Sequence, residues 1–95
     1  VRVMSERRSV VDVLGVSVPV WYVSATHPRL GESFGTAYHE PGETAIYVNG
    51  NMKAVDIRTT LFHERLELAL MMLGIRDNPD DIQEVIIRVA EMLSR

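Results

Sequence analysis

The stretch Leu61-Phe62-His63-Glu64-Arg65-Leu66-Glu67-Leu68-Ala69-Leu70 decides how the chain is read, because its apolar residues recur at spacings of three and four. Extended over Val55 to Leu73, the apolar positions Leu61, Phe62, Leu66, Ala69, Leu70 and Leu73 fall at spacings of three and four, which predicts a long helix, and Gly74 follows as a stop. On that helix His63 and Glu67 are one turn apart and lie on nearly the same side, while Glu64 lies about 100° around from His63. His63 and Glu67 can therefore face one ion, and Glu64 can reach a water bound to it. Two ligands at i and i+4 with a carboxylate at i+1 as general base is the arrangement of a single-helix metal hydrolase site. The plainer alternative is that Glu64, Arg65 and Glu67 form a solvated face. Leu68, Met71 and Met72 read as core or dimer packing, which makes a second copy of the chain a candidate partner.

Outward from the helix, the chain changes character near Asn51. Beyond it, Asn78-Pro79-Asp80-Asp81 opens a last helix, with an Asn N-cap, Pro at the first helical position and two acids against the positive end of the dipole. Ile82, Val85, Ile86, Val89, Met92 and Leu93 supply its apolar stripe. Before Asn51, Ser17 to Val23 reads as a strand in which Pro19 suggests an edge position or a strand start. Thr26 to Glu32 reads as a loop. Ser33 to His39 and Thr44 to Asn49 read as a hairpin joined by Glu40-Pro41-Gly42-Glu43, where Pro-Gly favours a type II turn. Val10, Val11, Val13 and Leu14 fit either a short strand or one helix face. Ser5 as N-cap and Gly15 as C-cap favour the helix. The sum is a single α+β domain over residues 1–95, with a three-stranded, mainly antiparallel sheet packed on the long helix and crossed by the C-terminal helix.

The composition narrows the chemistry. With no cysteine among 95 residues there is no disulfide, no thiolate metal site and no thiol nucleophile. Any metal must be held by histidine and carboxylate. A net charge of −3 and a pI near 5.5 argue against a nucleic-acid surface, which needs a basic stripe to release counterions. Arg2, Arg7 and Arg8 read as a solvated turn. No apolar run approaches the roughly 18 residues of a membrane span, and no signal peptide is visible, so a cytoplasmic protein is expected.

The strand pair ending in Ala45-Ile46-Tyr47-Val48-Asn49, a short link and the helix Thr59-Thr60-Leu61-Phe62-His63-Glu64 together resemble the small zincin metallopeptidases, of minimal gluzincin or phage-encoded type, over residues 10–93. The resemblance implies a zinc ion, or another divalent transition metal, held by His63 and by the residue four positions on. It implies Glu64 as catalytic base and a third ligand from the following helix. An extended peptide would pair with the strand before the helix. The family's second histidine is Glu67 here, giving H-E-x-x-E. Carboxylate oxygen binds zinc, but a site with one imidazole is a weaker Lewis acid, more tolerant of manganese or iron.

Glu84 is the position matched to the family's downstream glutamate, although it lies about 200° from the apolar stripe begun at Ile82. Glu91, Gln83, His39 and His27 are its rivals. Two other readings stand beside the peptidase. Glu64-Arg65-Leu66-Glu67 is also an E-x-x-E, similar to the magnesium-binding helix of all-α nucleotide pyrophosphohydrolases, but Glu84 and Glu91 are followed three residues on by Ile87 and Ser94 rather than by an acid. The other is an inactive zincin-like scaffold of phage or mobile-element origin that binds a protein partner.

Overall fold

The computed structural model describes residues 7–74 and Ile87. In chain order the elements are β1 (Arg7–Val13), β2 (Val16–Val23), a 3-10 turn at Pro28–Leu30, β3 (Gly35–Glu40), β4 (Glu43–Asn49) and α1 (Ala54–Met72). The class is α+β, as the sequence indicates, but the sheet has four strands rather than three, in the order β1-β2-β4-β3. The expected C-terminal helix lies outside the described residues, apart from Ile87.

The extra strand is the segment whose valines also fit a helix. Gly15 does not cap a helix there. With Leu14 it forms the two-residue turn between Val13 and Val16, at φ of 52° and 82°. A hairpin that tight takes a type I′ turn, which needs positive φ at both central residues and matches the right-handed twist of the strands. Asp12 Oδ2 accepts from the Gly15 N–H at 3.2 Å and closes the turn. Long-range pairing thus overrides the weak local preference for a helix: every residue of β1 from Arg7 to Val13 has a partner on β2.

The sheet is also mixed. β2 runs parallel to β4, with Val20 opposite Ile46 and Val23 opposite Asn49, whereas β1 with β2 and β3 with β4 are antiparallel. Pro19 therefore stands in an interior strand, not at an edge. Its missing N–H removes nothing from the ladder with β4, since those pairs begin at Val20. The β3–β4 hairpin forms as its pattern predicts, with Gly42 at φ 89° in the third position of the turn.

Alternation along the strands gives the sheet two covered faces. One carries Val18, Val20, Ile46 and Val48, buried against Leu68 of α1, with Val13 completing the cluster. The helix presents Ile57, Leu61, Leu68, Met71 and Met72 to this core. That is a partial change from the expected stripe, because Leu73 is exposed and Leu68 is wholly buried. The other face buries Val23, Ala45 and Leu30, the last contributed by the connection between β2 and β3. This connection is pinned by the Arg29 carbonyl, which accepts from Thr36 Oγ1 at 2.7 Å and from the Tyr38 hydroxyl at 2.8 Å. The Arg29 side chain pairs with Glu43 at 2.8 Å. No helix among the described residues is long and apolar enough to cross a membrane.

Candidate metal centre

Residue 64 falls within the sheet-facing row of α1, three positions after Leu61 and four before Leu68. A carboxylate at such a position is carried into the core side of the helix whatever its polarity. Glu64 is only 5% exposed, and it is the one buried charged residue among those described. The solvated-face reading therefore fails for Glu64, although Glu67 and His63 keep partial access to water.

The three side chains converge. His63 Nε2 lies 3.2 Å from Glu67 Oε2 and 3.7 Å from Glu64 Oε2. One donor atom from each of the three fits within 4.8 Å of the others, a spacing that can hold an ion. For bonds of about 2.0–2.2 Å, two ligands of a tetrahedral zinc stand roughly 3.3–3.6 Å apart, and the two separations from His63 Nε2 lie close to that range. The donor set is oxygen-rich, with a single nitrogen.

The three groups also shift one another's protonation. Burial pushes the Glu64 carboxyl up to about 7, the neighbouring Glu67 charge pushes it the same way, and His63 opposes both. His63 is raised above the ordinary imidazole range chiefly by its hydrogen bond to Glu67, with Glu64 and Glu67 both favouring the cation and burial opposing it.

The neighbouring strand completes the site. β4 is enclosed between β2 and β3, so the expectation that the strand directly before the helix receives a peptide is corrected: among the described residues the edge on this side is β3. The two-residue turn makes Glu40 and Glu43 the closing hydrogen-bonded pair, and the Asn49 N–H donates to the Phe34 carbonyl at 2.9 Å at the far end. Tyr38 and Thr36 therefore direct their backbone groups to β4, while His39, Ala37 and Gly35 direct theirs outward. The outward Gly35 carbonyl accepts from the Ser33 hydroxyl at 2.9 Å. Between this edge and α1 runs a groove of about 460 Å³, lined by Phe34, Gly35, Ala37, Thr60 and all three residues of the cluster, with Ile87 also on its wall.

Gly35 sets the width of that groove. A Cβ on Gly35 would stand 2.6 Å from the Thr60 methyl, 3.1 Å from Glu64 Cγ and 3.3 Å from the Tyr47 carbonyl. Only a residue without a side chain lets the edge strand pass this close to Glu64. Sequence reasoning places Gly35 in a strand without assigning it a role. A single glycine inside a strand pattern is nonetheless a signal of close backbone approach.

The other two histidines, His39 and His27, do not join the cluster. His39 is exposed near the hairpin turn, where Nδ1 stands 3.1 Å from the Thr44 hydroxyl. His27 stacks on Tyr47, and its Nδ1 accepts from the Arg29 N–H. Glu84, Glu91 and Gln83 lie outside the described residues. The pyrophosphohydrolase reading requires an all-helical bundle, with which the four-stranded sheet is at odds. Comparison with known proteins gives no match, whether to family models, to curated proteins or to solved structures.

Proposed function

We propose that the protein is a metal-dependent peptide hydrolase of zincin-like design, in which His63 and Glu67 hold a divalent ion and Glu64 is the general base. The observation that carries this reading is the convergence of the three side chains beneath the outward backbone of an edge strand. A zinc, manganese or iron ion bound there would supply the Lewis acid that lowers the pKa of a water.

The protein's own groups do the rest. Glu64, buried and titrating near 7, is matched to accepting a proton from that water and passing it to the leaving amine at neutral pH. The outward N–H and C=O of Ala37 and the N–H of Gly35 align an extended peptide antiparallel or parallel to β3, in the manner of strand addition. The oxygen-rich donor set favours manganese or iron more than a two-histidine site would.

The test is Glu64→Gln, assayed for metal content and for cleavage of a mixed peptide library with each of the three metals. The expected variant retains the ion and loses hydrolysis. A variant that cleaves as fast as the parent would refute the assignment of Glu64. A parent chain that takes up no stoichiometric metal would instead favour the scaffold reading.

A further inference from the structure

The opposite edge of the sheet carries a second pattern. Among the described residues β1 is an edge strand seven residues long, and Val10 on it is 58% exposed. In its hairpin with β2, Val13 and Val16 are the closing hydrogen-bonded pair, so Val13, Val11 and Ser9 spend their backbone groups on β2. Arg8, Val10 and Asp12 therefore turn theirs outward. The Asp12 carbonyl accepts from Arg65 at 2.9 Å, which agrees with that direction, and a carbonyl oxygen can accept a second bond.

We propose that β1 is a self-recognition edge, on which a second copy of this chain adds antiparallel about a two-fold axis at Val10. In that register Val10 faces its own equivalent, and Arg8 of each copy faces Asp12 of the other. All three residues are ones whose N–H and C=O point outward, so the ladder closes with correct parity and both charge pairs are opposite in sign. The side chains of these residues share the face away from α1, where Arg8 already lies over Trp21 at 5.3 Å. A continuous row of Trp21, Arg8, Asp12 and Ser17 would then cross the junction, because Asp12 is paired with Ser17 and Arg8 with Trp21 within each copy. Like-charged neighbours are how sheet edges usually discourage such pairing. Here an acid and a base four residues apart make the edge complementary to itself, and the result is an isologous interface between sheets.

Sedimentation equilibrium of the full chain at up to millimolar concentration tests this. The expected parent associates to twice 10.7 kDa. Arg8→Asp and Asp12→Arg should each weaken association by about tenfold or more, since both cross-strand pairs change from attraction to repulsion. Mixing the two single variants should restore it as a heterodimer, a result that misfolding of either cannot produce. Val10→Pro, which removes an outward N–H and no bond to β2, should leave a folded monomer. A parent that stays monomeric throughout, a dimer indifferent to Val10→Pro, or single variants that fail to recover on mixing would each overturn the proposal.

Discussion

Replacing Glu64 by glutamine makes a sharp prediction about stability as well as catalysis. In the unfolded chain Glu64 loses its proton near its ordinary value of 4.5, but in the folded protein it does so near 7, chiefly because burial penalises the carboxylate. Below 4.5 both states hold the proton and nothing changes with pH. Between the two values the unfolded chain ionises first, so stability falls as pH rises. Above 7 the full penalty is in place. A gap of about 2.5 in pKa corresponds to on the order of 3 kcal/mol. His63, raised mainly by Glu67, acts in the same direction: its contribution is present below its ordinary value and lost as pH passes the raised one. The amide introduced by Glu64→Gln keeps the shape and the neutral state without the titration. Urea or thermal unfolding from pH 4 to 9, with chelator present, should show the parent losing about 3 kcal/mol more than the variant, which keeps only the slope that His63 and Glu67 contribute. For a domain of this size the variant should melt on the order of 10 °C higher than the parent at pH 8. Parallel curves for the two proteins would refute the claim that Glu64 is buried in the folded state.

Three further outcomes follow from named contacts. Gly35→Ala would bring a methyl within 2.6 Å of the Thr60 side chain, so denaturant midpoints should show a loss of about 1–3 kcal/mol, and β3 should move off α1. Leu14 holds φ of 52° at an exposed turn, and Leu14→Gly relieves a strain worth about 1 kcal/mol, so thermal melting should rise rather than fall. Glu67→His puts a second imidazole beside His63, and calorimetric titration should find tighter zinc binding; unchanged affinity would mean that residue 67 does not face the ion.

Much of the site is legible in the sequence because it is local. His63, Glu64 and Glu67 sit at fixed offsets on one helix, and helix geometry alone brings His63 and Glu67 within reach of each other. The β3–β4 hairpin is equally legible, since Pro41-Gly42 dictates a turn that only one strand register can close. What cannot be read is depth. The same apolar periodicity that predicts the helix leaves open whether Glu64 faces solvent or sheet, because Leu, Met and Phe occur all around α1. Gly35 looks like an ordinary strand residue until β3 lies against the helix.

Local periodicity, turn chemistry and the absence of cysteine determined the long helix, the hairpin and a donor set limited to imidazole and carboxylate. Only the tertiary structure decided that residues 7–13 are a strand, that β2 pairs in parallel with β4, and that β3 rather than β4 is the edge above the cluster. The reason is that these outcomes depend on partners distant in sequence. Val10 and Val11 are satisfied by helix or strand until β2 offers a continuous ladder, and Glu64 acquires its buried character only when a strand nearly 30 residues away closes over it.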